Sequence, residues 1–265
     1  MKDKKVVVIT GASRGIGYAA ARLFNDNGFI VYTLSRSPCD LSGVKSLICD
    51  VKDSTKLKEA IDSIYKTEKR IDILVNNAGG GISGSVEKTD LEDAKKLFEL
   101  NFFTGFMAVK YVVPYMRTGG GGKIINIGSV AGSMHVPFQA FYSASKAAVE
   151  ALSNCLRGEL EPFNIKVATI MPGDTHTTFT DAREKKFEKD DPDYGRRIWN
   201  SIEIMEKDER SGMPPLKTAR AIYKAACSLN PKPLYAVGFK YKFFLLLNRT
   251  LPKRIVQFVL NKMYA

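Results

Sequence analysis

Apolar and polar positions along this chain alternate between two periods. Lys5-Val-Val-Val-Ile-Thr10 is a short β-branched run, the pattern of a strand buried on both faces. Apolar residues then recur at helical spacing from about Gly15 to Asn27. Further strands are predicted at Ile30–Ser35, Ser46–Asp50, Ile71–Val75, Lys123–Ser129 and Ile165–Met171. Helices are predicted between them, from about Ser54 to Glu68, Leu91 to Met116 and Ser143 to Pro162. The glycines at 119–122 and the pair Pro172-Gly173 punctuate the pattern. Six strands alternating with helices predict an α/β fold with a doubly wound parallel sheet. Right-handed crossovers collect the carboxyl ends of the strands on one edge, where ligands bind. With no linker or repeat in view, residues 1–265 are expected to form a single domain. Residues 174–215 leave the alternation and are rich in charge, as expected of a substrate lid at that edge. Residues 239–265 form a basic amphipathic tail, which Pro252 should divide into two short helices.

The first strand runs into Thr10-Gly-Ala-Ser-Arg-Gly-Ile-Gly17, and a helix opens there. Gly11, Gly15 and Gly17 let backbone approach a ligand closely, and the helix N-terminus offers free N–H groups to a pyrophosphate. This is the Rossmann-type arrangement for a dinucleotide. An NAD-binding chain usually has an acid at the end of the second strand. Here Ser35 and Arg36 stand there, with Arg14 in the glycine loop. Two guanidinium groups suit a 2′-phosphate, so NADP(H) is expected over NAD(H).

Tyr142 and Lys146 lie four apart in Ala140-Phe-Tyr-Ser-Ala-Ser-Lys-Ala-Ala-Val-Glu150, on one face of a helix. Taken alone, such a pair is common on an amphipathic surface. Together with the glycine loop it resembles the short-chain dehydrogenase/reductase family, over about Lys5 to Thr178. The resemblance also rests on Asp50-Val51, Asn76-Asn-Ala-Gly79, Asn101, Ser129, and Pro172-Gly173 with Thr177. It implies Asn101, Ser129, Tyr142 and Lys146 as the catalytic set. The implied cofactor contacts are Gly11, Ser13, Arg14, Gly15, Ile16, Gly17, Ser35, Arg36, Asp50, Val51, Asn77, Ala78, Gly79, Tyr142, Lys146, Pro172, Gly173, Thr175 and Thr177. Thr175 departs from the family pattern, which favours Val or Ile beside the carboxamide. By this resemblance Tyr142 exchanges a proton with the substrate oxygen and Ser129 donates to that oxygen. Lys146 holds the nicotinamide ribose, and Asn101 holds a water that relays protons to Lys146. A cation near a phenol lowers its pKa, so Lys146 is expected to make Tyr142 more acidic.

Hydrophobic residues make up 45% of the chain and charged residues 26%, which is ordinary globular composition. Four cysteines and two histidines fit no metal site, and none is expected. The N-terminus leads into only a short apolar run, Val6 to Ile9, too short for a secretory core, and no apolar run reaches membrane-spanning length. A cytoplasmic protein is expected, with peripheral contact at a membrane as the variant. The net charge of +12 is spread along the chain without a nucleic-acid-binding signature, so nucleic acid is not the expected partner. Apolar residues at Met134–Gln139 and Gly80–Val86 point to a lipophilic carbonyl or alcohol, and the region around Tyr142 resembles the hydroxysteroid and retinol dehydrogenase branch. His135 and His176 are read as loop residues. The tail could close the cleft, contact a second subunit, lie on a membrane or pack as plain core. The family implies a homodimer or homotetramer. The expected function is an NADPH-dependent oxidoreductase; the alternative is a non-catalytic NADPH-binding regulator or a membrane-associated scaffold on the same fold.

Overall fold

The computed structural model describes residues 4–264; the first three residues of the basic N-terminus and the last of the tail lie outside the described residues. The strands are β1 (Val6–Thr10), β2 (Ile30–Ser35), β3 (Lys45–Ile48), β4 (Ile73–Asn76), β5 (Ile82–Ser83), β6 (Gly122–Ile127), β7 (Ile165–Pro172), β8 (Glu184–Lys185) and β9 (Leu234–Val237). The α-helices are α1 (Gly15–Asp26), α2 (Ser54–Glu68), α3 (Leu91–Phe98), α4 (Thr104–Thr118), α5 (Ala140–Leu160), α6 (Gly195–Arg210), α7 (Pro215–Cys227), α8 (Phe239–Thr250) and α9 (Lys253–Tyr264). Seven strands form one sheet in the order β3-β2-β1-β4-β6-β7-β9. Every neighbouring pair is parallel.

Strand β1 shows how the sequence builds this core. Its side chains alternate between faces, yet all are apolar up to Ile9, because helices cover both sides. Val6 and Val8 pack with Leu57 and Ile61 of α2 and Val112 of α4. Val7 and Ile9 pack with Ala20 and Phe24 of α1 and Ile222 of α7. The chain winds outward from β1 to β3, then returns to the other side of β1 at β4. That reversal opens a crevice beyond the carboxyl ends of β1 and β4. Helix α2 has the predicted bounds. Asp53 caps it by accepting from the Thr55 and Lys56 amides, both at 3.1 Å, and Lys69 ends it at φ 58°.

The structure departs from the predicted elements at several points, of which three concern the sheet and the long helices. A seventh strand, β9, extends the sheet beyond β7. The predicted helix from Leu91 to Met116 changes register through a π turn at Glu99–Phe103, where the Thr104 amide reaches back to the Glu99 carbonyl. That turn carries Asn101, which is buried. Helix α5 begins at Ala140, with the Ser143 amide bonded to the Gln139 carbonyl at 2.9 Å, so Tyr142 already lies in its first turn.

The segment predicted as a lid leaves the sheet after β7 and returns at α7. Its two ends are tied by a parallel bridge between Thr175 and Met213. Strand β8 pairs with β5 and straps the segment to the loop after β4. Ile198, Ile202 and Met205 on α6 form a small core of their own, joined by Phe138 and by Tyr264 of α9. The tail is two helices parted at Pro252.

Candidate active site

The glycine loop lies at the crevice mouth. Gly11 adopts φ +66°, and a Cβ on it would fall 2.8 Å from the Ala78 Cα. A Cβ on Gly17 would fall 2.5 Å from Asn77 Nδ2 and 2.6 Å from the Gly11 carbonyl. These clearances exist because β4's following loop is laced to the glycine loop. The Asn77 and Ala78 amides donate to Thr10 Oγ1 at 3.0 and 3.1 Å. Asn77 Nδ2 donates to the Thr10 and Gly11 carbonyls at 3.0 and 2.8 Å. Asn77 therefore holds the loop's shape as well as facing the cleft. No side chain caps α1 and no acid lies in its first turn, so its N-terminal amides remain open to an anion.

Around that loop the cleft is lined by Ser13, Arg14, Gly15, Ile16, Ser35, Arg36, Asp50, Val51, Asn77, Ala78 and Gly79, and across it by Pro172, Gly173, Thr175 and Thr177. Arg14 and Arg36 are exposed and, among the described residues, have no ion-pair partner. Thr177 approaches the loop from the far side, 3.5 Å from where a Gly15 Cβ would stand. Thr175 Oγ1 donates to the Gly173 carbonyl at 2.8 Å. His135 and His176 are exposed and do not line the cleft.

Tyr142, Ser129 and Lys146 face the same cleft. Ser129 begins a short helical turn, accepting from the Ala131 amide at 3.2 Å, and it is hydrogen-bonded to the Tyr142 phenol. A Cβ on Gly132 in that turn would fall 2.9 Å from the Lys146 carbonyl carbon, so the turn rests directly on the α5 backbone. Lys146 is buried and donates to the Ile127 carbonyl at 3.0 Å. The two N–H groups of Asn101 go to the Gly80 carbonyl and Ser145 Oγ, both at 3.0 Å, and its Oδ1 accepts from the Gly80 amide at 2.8 Å. That side chain is engaged in bracing the loop after β4 against α5. Gly79 sits between the two groups: its Cβ would lie 3.2 Å from Asn101 Oδ1 and 3.4 Å from Lys146 Nζ.

The expected acid shift of Tyr142 is reversed. Burial pushes the phenol above its usual value, and the Ser129 hydrogen bond offsets only part of that. Lys146 is itself lowered to about 8, by burial alone. Desolvation favours the neutral form of both groups.

A polar cluster that sequence reasoning missed flanks the phenol. The Phe179 ring lies 5.8 Å from that of Tyr142, and the buried Arg183 stacks over Phe179 at 5.7 Å. Arg183 pairs with Glu209, which also accepts from Thr180 Oγ1 at 2.8 Å. Asp174 is hydrogen-bonded by the Tyr241 phenol. Burial raises the pKa of both Asp174 and Glu209, and both line the cleft. Asp174 follows Pro172-Gly173 directly, and an acid there is the one signal the sequence offered. Tyr241 is 67 positions away, and only the fold joins them. Its ring packs so closely on Gly173 that any Cβ there would overlap it, at 2.1 Å.

Beyond this cluster the cleft becomes apolar. Helices α8 and α9 wall it with Phe244, Leu247, Leu251, Val256 and Leu260, and the whole has a volume of about 1150 Å³. The helices are fastened at several points: Tyr241 to Asp174, Asn248 to the Ser133 carbonyl at 3.0 Å, and Tyr264 in the α6 core. Among the described residues no cluster of His, Cys, Asp and Glu could hold a metal, and no helix is long and apolar enough to cross a membrane.

The profile of the short chain dehydrogenases matches residues 5–188. A 3-ketodihydrosphingosine reductase of Bacteroides thetaiotaomicron is 39% identical over 264 residues, covering 98% of each chain. An NADPH-dependent 1-acyldihydroxyacetone phosphate reductase of Schizosaccharomyces pombe is 35% identical, covering 67% of this chain and 62% of its own. A crystal structure of a short-chain dehydrogenase from Streptomyces avermitilis superposes with a TM-score of 0.83 at 30% identity, covering 93% of this chain and 92% of that one.

Proposed function

Because the chain belongs to the short-chain dehydrogenase family, whose oxidoreductases bind a nicotinamide cofactor, we propose that it uses NADPH to reduce a ketone on a long-chain, polar-headed lipid. The observation that carries this reading is the continuity of one cleft, from the glycine loop past Tyr142 to the apolar walls of α8 and α9.

The residues present fit the cofactor. The clearances at Gly11 and Gly17 leave a cradle that side chains would fill, and the open N-terminus of α1 suits a pyrophosphate. Arg14 and Arg36 would hold a 2′-phosphate, which favours NADPH over NADH. Asp50 and Val51 would hold the adenine, with Asn77, Ala78 and Gly79 along the ribose. Lys146 would hold the nicotinamide ribose, with Pro172, Gly173, Thr175 and Thr177 at the ring. Bound NADPH supplies the hydride for the carbonyl carbon. Tyr142 gives the carbonyl oxygen its proton, and Ser129 holds that oxygen through the developing charge. Asn101 serves as a positioning residue that fixes Gly80 and Ser145 around Lys146.

Substrate chemistry is read from the two ends of the cleft. Phe244, Leu247, Val256 and Leu260 suit an alkyl chain. At the polar end two half-buried carboxylates, Asp174 and Glu209, face one buried guanidinium, Arg183. These carboxylates offer acceptors to a protonated amine beside the ketone. The relative named as a 3-ketodihydrosphingosine reductase supports the same choice, and a sphingoid 3-ketone is the first compound to test.

The test follows NADPH absorbance with a long-chain 2-amino-3-ketone, its short-chain counterpart and a long-chain ketone without the amine. The expected order of kcat/KM puts the long-chain amino ketone first. Equal rates for all three would overturn the substrate reading. NADPH binding without consumption of any ketone would overturn catalysis itself and favour the regulator.

A further inference from the structure

Helices α8 and α9 are apolar on more than the side that lines the cleft. On α8 the inward residues Tyr241, Phe244, Leu247 and Leu251 follow one helical row. Phe239, Phe243 and Leu246 follow another, at i, i+4 and i+7, and none of them lines the cleft. They stand in solvent, Phe239 88% and Leu246 56% exposed. On α9, Phe258 stands 61% exposed and does not line the cleft, while Ile255 and Val259 beside it line the cleft mouth and are still about half exposed, at 48% and 47%. A helix apolar on opposite sides has two partners to satisfy. One of them is the cleft.

Charge identifies the other. Residues 239–264 contain six Lys and Arg and no acid, half of the chain's net charge of +12. All six are exposed, and among the described residues none lies within ion-pair distance of a carboxylate. Lys262 lies over the Phe258 ring, 5.4 Å from its centre. Aromatic and aliphatic side chains interleaved with unpaired cations match the interface of an anionic bilayer, apolar below the headgroups and negative at them. Each helix has twelve residues, too few to span. They would lie flat.

We propose that α8 and α9 dock the protein onto anionic membrane surfaces, with Phe239, Phe243, Leu246 and Phe258 entering the acyl boundary. The docked helices are also the walls of the cleft, so a lipid can pass from the bilayer into it without crossing water. This entry route rests on the substrate reading above; docking itself rests on the surface alone.

Full-length protein is spun with sucrose-loaded vesicles of phosphatidylcholine, with or without phosphatidylglycerol. The expected result is sedimentation with the phosphatidylglycerol vesicles. Binding should weaken steeply as salt rises toward about 1 M, where the screening length is about 3 Å. Lys242→Glu/Lys253→Glu/Arg254→Glu should lower partitioning by at least about fivefold for each cation removed. Phe243→Ser/Phe258→Ser should stay in the supernatant with its melting transition and NADPH binding unchanged. Wild-type protein that ignores both vesicle types overturns the proposal, as does a Phe243→Ser/Phe258→Ser variant that sediments like the parent. A dimer that this variant converts to monomer, without vesicle binding by the parent, would assign the surface to a second copy instead. Turnover of detergent-dispersed ketone is measured in parallel. Its loss in the parent would count against the reductase reading and leave the vesicle result standing.

Discussion

Lys146 Nζ donates to the Ile127 carbonyl at 3.0 Å and lies 6.0 Å from the centre of the Tyr142 ring, one turn back along α5. The lysine is thus anchored to the end of β6 while the phenol reaches the cleft beside Ser129. If Tyr142 supplies the proton, Tyr142→Phe keeps the ring against Phe179 and removes only the donor. Turnover should fall by about 10²–10⁴-fold, the usual size of a general-acid contribution. NADPH affinity and melting temperature should change little. Near-parental turnover would exclude Tyr142 from the proton step.

The Lys146 ammonium has a measurable consequence for stability. Its pKa in the fold is about 8 against 10.5 for the free side chain. Between those values the unfolded chain binds more protons than the folded one, so this group's contribution to stability rises with pH there. Below about pH 8 the fold carries a charged, desolvated lysine, a penalty of about 3 kcal/mol by the size of the shift. Lys146→Met should therefore gain on the parent at neutral pH, apart from a constant loss for the Ile127 hydrogen bond. That relative gain should shrink as pH rises from 8 to 10.5. Paired urea melts check it; a pH-independent difference would mean that the ammonium is not desolvated.

How far the sequence could be read depended on the range of the interactions. Periodicity is local, so β1 was legible from the β-branched run Val6–Ile9 and α2 from the amphipathic pattern between Ser54 and Glu68. The glycine loop was legible because its position between a strand and a helix is also local. Strand β9 was not: its apolar run, Leu234–Val237, is only four residues long between Pro233 and Gly238 on the sheet edge, too short to stand out. The π turn left no trace, since one residue of register shift does not disturb a broad apolar stripe. The ladder from Asn76 Nδ2 to Asn126 Oδ1 at 2.9 Å, and from Asn126 Nδ2 to Ser153 Oγ at 2.8 Å, joins residues 50 and 27 apart. The acid shift expected of Tyr142 failed for the same reason. Spacing shows that a cation is near, but burial of the pair is a property of the whole fold.

On the proposed reading Arg14 and Arg36 would carry a preference for NADPH. Each would make charge-assisted hydrogen bonds to a 2′-phosphate, worth about 1.5–3 kcal/mol. Arg36→Ala should weaken NADPH roughly 10- to 150-fold on that scale, with NADH affinity nearly constant. Arg14→Ala should act in the same direction. Fluorescence titration with both dinucleotides reads the ratio. Equal loss for the two would show that the arginines serve the common pyrophosphate or the fold.

Arg183 and Glu209 form a buried pair within residues 174–215, with side chains 2% and 15% exposed. Removing one partner of such a pair costs about 3–5 kcal/mol, because the other charge is left buried. Arg183→Met should therefore loosen residues 174–215, seen as faster proteolysis there. Burial already raises the Glu209 pKa, and Arg183 holds it down. Without Arg183 it rises further, so protonation relieves the defect at acid pH and ionisation restores it as pH rises. A cleavage rate in the variant that does not fall on acidification would count against this account.

Gly17 separates cofactor binding from general packing. A Cβ there meets Asn77 Nδ2, which can turn away, and the Gly11 carbonyl, which cannot, at 2.5 and 2.6 Å. Gly17→Ala must therefore either break the Asn77 bonds to the Thr10 and Gly11 carbonyls or push the glycine loop outward. Overpacking of this kind typically costs about 1–3 kcal/mol of stability. The loss of dinucleotide affinity should be larger than that, since the displaced loop is the one proposed to hold the phosphates. Adding Asn77→Ala relieves only the first contact and should restore part of the stability but little of the affinity. Full recovery of NADPH binding in Gly17→Ala/Asn77→Ala would show that the side-chain contact, rather than the close backbone approach, is what glycine is needed for at this position.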